Sequence, residues 1–161
     1  MKTPLRKLKR KLNAKLSIRM EIRKLASNSY EEIVALWSRA KLPFSPRGRD
    51  SKEALTRQME ANPDFFLGAF ENVKLIGAVI LSCDLRKGWI NHLAVDPVYR
   101  GCGVAEALVA ESERTLKKYG VAIFCVLINA DNIASKKLFK KCGYVEHNDI
   151  LYFSKRESND V

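Results

Sequence analysis

Residues 93–105, Leu-Ala-Val-Asp-Pro-Val-Tyr-Arg-Gly-Cys-Gly-Val-Ala, constrain the fold of this chain more than any other stretch. A short apolar strand runs into Asp96-Pro97, and an Arg-Gly-Cys-Gly turn then opens a long helical pattern. Such a turn sets unpaired backbone N–H groups at the positive end of a helix dipole. That environment stabilises an anion, most commonly a phosphate.

The chain around it is long enough, at 161 residues and 47% hydrophobic, to bury a single core. Its net charge of +11 looks like a nucleic-acid signal until it is divided. Residues 1–19 carry eight Lys/Arg and no acid, which leaves 21 basic and 18 acidic groups for the rest. The expected organisation is therefore a basic extension over 1–19 and a nearly neutral domain over 20–157. In the extension, Leu5, Leu8, Leu12 and Leu16 share one face of a basic helix. An anionic membrane surface, RNA contact, organelle targeting and a weakly helical tail all remain open for it. Nucleic-acid or membrane contact is left open through this tail alone, and the nearly neutral domain lacks the aromatic–basic interleaving of a nucleic-acid strand-binding face.

Cys83, Cys102, Cys125 and Cys142 show neither C-x-x-C nor Cys/His spacing, so no metal site and no disulfide framework is expected. With no signal-peptide core or 18-residue apolar run, free thiols in a cytoplasmic protein are the expectation.

Along the domain, alternation over 17–25 predicts a first strand. Ser29-Tyr30-Glu31-Glu32 has the pattern of a capping box, opening a helix with Ile33, Leu36, Trp37 and Ala40 on its apolar face. Asp50-Ser51-Lys52-Glu53 opens a short second helix that ends at Asn62-Pro63. Residues 65–70 and 74–82 read as a hairpin, and 89–95 as the next strand. Helix follows over about 103–119, with Gly120 in the terminating position. The apolar run 121–128 predicts a strand covered on both faces. A helix over about 132–141 and two short strands, 144–147 and 150–155, complete the chain. The order β-α-α-β-β-β-α-β-α-β-β, without internal repeat or linker, is that of one α+β domain.

Three phosphate-binding readings compete at the turn. A P-loop needs a Gly-Lys-Ser/Thr ending to hold β/γ-phosphates and Mg²⁺, and this turn lacks it. A dinucleotide fingerprint needs a third small residue where helix meets strand, and Glu106 stands there. The third reading fits. Arg100-Gly101-Cys102-Gly103-Val104-Ala105 resembles the Arg/Gln-x-x-Gly-x-Gly/Ala motif of the GNAT superfamily of N-acetyltransferases. Leu93-Ala94-Val95-Asp96-Pro97 resembles that family's cofactor strand. Residues 132–144, Asn-Ile-Ala-Ser-Lys-Lys-Leu-Phe-Lys-Lys-Cys-Gly-Tyr, resemble its second motif, Asn-x-x-Ala/Ser-x-x-Leu-Tyr-x-x-x-Gly-Phe/Tyr.

The resemblance implies a mixed central sheet splayed between its fourth and fifth strands and flanked by about four helices. Acetyl-CoA would be the co-substrate and would lie in that splay. Leu93, Ala94 and Val95 would line it, with backbone groups of Leu93 and Val95 pairing with the pantetheine amides as an added strand does. Arg100, Gly101, Cys102, Gly103, Val104, Ala105 and Glu106 would form the pyrophosphate turn, in which Gly101 and Gly103 permit close backbone approach. Asn132 would contact the pantetheine arm. Cys102 occupies a variable position and carries no expected chemistry of its own.

Acetyl transfer to an amine needs a neutral amine, a donor for the developing oxyanion and a proton for the departing thiolate. The resemblance implies the Val95 N–H as oxyanion donor. Where many members place a proton-donating Tyr, this chain has Phe139, which leaves Tyr144 and Tyr152 as substitutes. Where members place a basic Glu or His, it has Leu127, Trp89 and Asn91. Strict strand alternation puts His92 on the opposite face from Trp89, Asn91, Leu93 and Val95, where it reads as a core or helix-facing histidine rather than a base. Deprotonation through water held by Asn91 and strand carbonyls is then the expectation.

Neutralising a Lys side chain at pH 7 costs roughly 4–5 kcal/mol, against about 1 kcal/mol for an α-amine. A site without a strong base therefore suits an α-amine or another amine of low pKa. Arg47 and Arg49, in the loop expected to wall the acceptor cleft, would grip a carboxylate or phosphate on the acceptor. Asp50 could equally cap the next helix in a solvated basic loop. Trp89 and Asn91 would complete the acceptor side. The function expected is transfer of acetyl to a primary amine, small-molecule or peptide, by direct attack in a ternary complex. A CoA-binding regulatory module with little catalysis is the alternative, suggested by Phe139 and the absent base. Monomer and homodimer are both open.

Overall fold

A computed structural model describes residues 19–158, so the basic extension lies almost wholly outside the described residues. Five strands form one sheet in the order β1-β2-β3-β4-β5. They are β1 (Met20–Lys24), β2 (Phe66–Glu71), β3 (Lys74–Cys83), β4 (Gly88–Val95) and β5 (Phe124–Val126). The first four pair antiparallel and β4–β5 is parallel. Four α-helices accompany them: α1 (Tyr30–Ala40), α2 (Lys52–Ala61), α3 (Val104–Lys117) and α4 (Ile133–Lys141). This is the mixed sheet and single α+β domain expected.

Two helices sandwich the sheet. α1 packs on β3 and β4 through Ile33, Leu36 and Trp37, all fully buried. α3 packs on the other face through Val104, Leu108 and Leu116. Its approach needs glycine beneath it. A Cβ on Gly77 would stand 2.9 Å from Leu108 and Val104, and one on Gly88 would stand 2.6 Å from Leu116. Each large apolar side chain fully buried in this sandwich contributes about 1.5–3 kcal/mol.

Several local expectations are corrected. The Ser29 side chain makes no capping bond, and a 3₁₀ turn over Ser27–Ser29 leads into α1 instead. Ser51, rather than Asp50, caps α2, accepting from the Ala54 N–H at 3.3 Å. β5 is three residues long and only half-buried, with Ile123 and Leu127 exposed beside it. Neither strand expected after Gly143 forms. Residues 145–157 carry no strand, and Val145, Ile150, Leu151, Tyr152 and Phe153 are exposed. Apolar alternation identified a segment able to form strands, but among the described residues no element pairs with it and it is irregular.

Candidate acetyl-transfer site

The β4–β5 ladder is short. Gly88, Trp89 and Ile90 pair with Phe124, Cys125 and Val126, and there it ends. Beyond Ile90, the β5-facing side of β4 has no strand partner among the described residues. The Asp96 N–H donates to Ile76 O at 2.9 Å, toward β3. Because successive backbone groups point to opposite sides of a strand, Val95 and Leu93 turn theirs toward the gap. A strand edge with free N–H and C=O groups can accept an extended amide-bearing chain.

The turn into α3 closes one end of this gap. Gly101 and Gly103 have φ of 74° and 81°, a left-handed conformation that glycine adopts without penalty. The first helical bond is Ala107 N–H to Gly103 O at 3.0 Å. The N–H groups of Gly103, Val104 and Ala105 therefore precede the hydrogen-bond ladder of α3 and sit at its positive end. Cys102 differs from expectation: its N–H donates to Tyr99 O at 3.3 Å and belongs to the turn itself. The Arg100 guanidinium also points away, donating to Ala40 O at the end of α1 (3.1 Å). Glu106 is held by Lys141 at 2.7 Å, which joins α3 to α4. Hydrogen bonding from Lys141 lowers the Glu106 pKa.

Asn132 serves as the N-cap of α4, its Oδ1 accepting from Ser135 N–H at 3.0 Å. Its side-chain NH₂ keeps its donors for another partner. Phe139 is 3% exposed and meets the Tyr144 ring edge-on at 5.0 Å. Among the described residues no hydrogen bond of good geometry reaches the buried Tyr144 hydroxyl, and burial first, then the Glu113 carboxylate nearby, pushes its pKa far up. Tyr152, expected on a strand, lies in irregular chain at 71% exposure. Leu127 is 58% exposed past the end of β5.

Strict alternation fails on β4. Ile80 pairs with Asn91 and Ala78 with Ala94, so His92 and Leu93 together oppose Val79. This β-bulge, with His92 at φ 49°, brings the imidazole to the α1 face, 4.9 Å from the Trp37 ring. Gly88 and Gly77 mark the α3 face, and Asn91 has the opposite parity from Gly88. His92 and Asn91 therefore share the α1 face, contrary to the expectation that they oppose one another. Asn91 Nδ2 donates to Ser82 Oγ at 3.1 Å.

His92 meets a residue that sequence reasoning had given a different task. Its Nε2 lies 3.4 Å from Asp50 Oδ1. Asp50 is 2% exposed, and its Oδ2 accepts the Ser45 N–H at 2.7 Å. Burial alone would raise the Asp50 pKa, but hydrogen bonds from His92 and Ser45, with the charges of His92 and Arg49, outweigh it and lower the value. Arg49 is committed to this carboxylate, Nε to Oδ2 at 3.8 Å, whereas Arg47 is exposed. The only sequence signal for the pair was an Asp and a His without assigned partners; the bulge that joins them left none.

Among the described residues, no group of three or more His, Cys, Asp or Glu is arranged to hold a metal ion. No helix among them is long and apolar enough to cross a membrane.

The chain is similar to known acetyltransferases in sequence and in fold. An acetyltransferase of Photorhabdus laumondii is 33% identical over 138 residues, spanning 85% of this chain and 95% of that protein. An acetyltransferase of Sodalis glossinidius is 30% identical over 143 residues, spanning 88% and 98%. The PaiA N-acetyltransferase of Thermoplasma acidophilum, solved in complex with coenzyme A, is 26% identical and superposes with a TM-score of 0.65 over 76% of this chain and 87% of that one. The fold of AAC(6')-Iy, solved with a CoA-linked bisubstrate analogue, matches with a TM-score of 0.71 at 22% identity over 86% of this chain and 99% of that one. Residues 30–144 match the acetyltransferase (GNAT) family as a unit, so the chain belongs to the acetyltransferase (GNAT) family.

Proposed function

We propose that this protein transfers the acetyl group of acetyl-CoA to a primary amine, on a small molecule or a peptide, by direct attack in a ternary complex. The observation that carries the reading is the unpaired edge of β4 beyond Ile90, closed at one end by the turn into α3. Leu93 and Val95 hydrogen-bond the pantetheine amides along that edge. Gly103, Val104 and Ala105 donate N–H groups to the pyrophosphate, aided by the dipole of α3. The Asn132 side-chain NH₂ donates to the pantetheine arm, and the Val95 N–H stabilises the oxyanion that develops on the thioester carbonyl.

The acceptor enters on the α1 face, past Trp89 and Asn91. Arg47 is the cation left for a carboxylate or phosphate on the acceptor, since Arg49 is engaged by Asp50. Phe139 donates no proton, so the thiolate takes its proton from the attacking amine or from water. An acceptor of low pKa, such as an α-amine, fits a site that lacks a carboxylate base at Trp89, Asn91 or Leu127.

Thiol release from acetyl-CoA across a panel of amines, with CoA binding measured in parallel, tests the reading. Amine-dependent thiol release is the expected result. CoA binding without turnover on any amine would favour a CoA-binding regulatory module instead.

A further inference from the structure

We propose that His92 is the general base of the transfer, and that Asp50 is the positioning residue that holds its ring. The proposal rests on the transfer reading above and adds the group that neutralises the acceptor.

Four observations converge on His92. It occupies the bulge of β4, adjacent in the chain to Leu93, whose backbone faces the gap. Its φ of 49° is a left-handed conformation within a strand, costing a non-glycine residue about 1–2 kcal/mol. The ring is clamped between Trp37, at 4.9 Å and 34°, and Asp50 Oδ1, at 3.4 Å from Nε2. Its side chain keeps 19% of its surface accessible, against 4% for the side chain of Asp50.

The anchor is itself fixed on every side. Asp50 Oδ2 takes the Ser45 N–H, its main-chain carbonyl takes the Tyr30 hydroxyl at 3.2 Å, and Arg49 stands 3.8 Å from Oδ2. Asp50 is the ionisable group set against the imidazole, and Arg49 and Tyr30 are the ionisable groups that contact Asp50 in turn. A carboxylate at Nε2 favours the tautomer with its proton on that nitrogen, leaving the Nδ1 lone pair as the acceptor. This is the logic of base and orienter found wherever histidine serves as a base.

The proton inventory balances. One proton of the acceptor ammonium passes to Nδ1, and the freed lone pair forms the N–C bond with the thioester carbonyl. The C–S bond then breaks with its electron pair leaving on sulfur. The second amine proton passes to that thiolate, and the imidazolium releases its proton to water. The products are the N-acetyl amide and the CoA thiol.

The test uses the full chain, acetyl-CoA and two nucleophiles. The α-amine of glycylglycinamide is largely protonated at neutral pH, whereas hydroxylamine is already neutral. His92→Gln should lower kcat/KM for glycylglycinamide about 10²–10⁴-fold, but for hydroxylamine less than about tenfold, with CoA affinity unchanged. The wild-type pH profile should show one protonation at low pH beyond that of the amine, and His92→Gln should lack it. Asp50→Asn should lower the glycylglycinamide rate by a smaller factor and alter the same limb, and it carries the comparison should His92→Gln not fold. Equal losses with both nucleophiles, or superimposable pH profiles, would overturn the proposal. No turnover of either nucleophile by wild-type protein that binds CoA would overturn the transfer reading, and this one with it.

Discussion

Arg39 Nε donates to Asp96 Oδ2 at 2.9 Å, and this ion pair joins the last turn of α1 to the end of β4 where the anion-binding turn begins. Asp96 is buried, also accepts the Val98 N–H at 3.1 Å, and has Lys74 at 3.9 Å. A carboxylate with these partners organises three segments at once. Asp96→Ala removes a charged acceptor from two donors, so a loss of about 2–3 kcal/mol is expected in urea unfolding. CoA affinity should fall as well, because the turn loses its anchor. A variant as stable as the wild type would contradict this.

Acid should weaken the fold through the same residue and through Asp50. Burial alone would raise both pKa values, but their hydrogen bonds and neighbouring cations outweigh it and lower them. A carboxylate depressed in the folded state adds stability above its unfolded value, about 3.9, and loses it as pH falls through the folded value. Unfolding free energy should therefore decline from about pH 5 downward, and Asp96→Asn should flatten part of that slope. Urea titrations across this range check it; an unchanged slope in the variant contradicts it.

Close packing of α3 on β4 gives a second stability prediction. A Cβ at Gly88 would lie 2.6 Å and 2.9 Å from the two Leu116 Cδ atoms. Gly88→Val should cost about 1–3 kcal/mol through overpacking, and Leu116→Ala should recover part of it in the double variant. Thermal unfolding of the three variants measures the coupling.

Gly103 poses a different problem. Nothing lies within 4 Å of a Cβ built there, so the penalty of Gly103→Ala comes from its φ of 81°. About 1–2 kcal/mol of strain is expected. If the N–H groups of this turn hold the pyrophosphate, CoA affinity should drop roughly tenfold or more, a shift of about 1.4 kcal/mol in binding. Calorimetric titration with CoA reads the change.

Phe139→Tyr would restore the family's familiar residue, yet gain is not expected. The ring is 3% exposed and packed edge-on against Tyr144, whose own buried hydroxyl no hydrogen bond of good geometry reaches among the described residues. Adding a second buried hydroxyl should cost about 1–3 kcal/mol, with no rise in kcat. A rise in kcat would show that the site accommodates a tyrosine donor.

Much of this was legible in the chain because it is local. The strand, the Gly-x-Gly turn and the helix after it are set by φ requirements and apolar periodicity within residues 93–117, and the second motif by Asn132 and Gly143. The meeting of His92 with Asp50 was not, because a β-bulge is a two-strand property: Val79 on β3 decides which β4 residues it opposes. The C-terminal strands failed for a related reason. Alternation over 150–155 reports what could pair, and pairing also needs a neighbour within reach. Arg100 and Cys102 matched a motif by type while their side chain and N–H, respectively, went to local acceptors at Ala40 and Tyr99.

The most direct test of the central claim is residue-resolved amide hydrogen exchange with and without CoA. Slowed exchange at Leu93, Val95, Gly103, Val104 and Ala105, with little change along β1 and β2, is the predicted result. CoA binding that leaves these five amides unchanged, or protects a different surface, would contradict it.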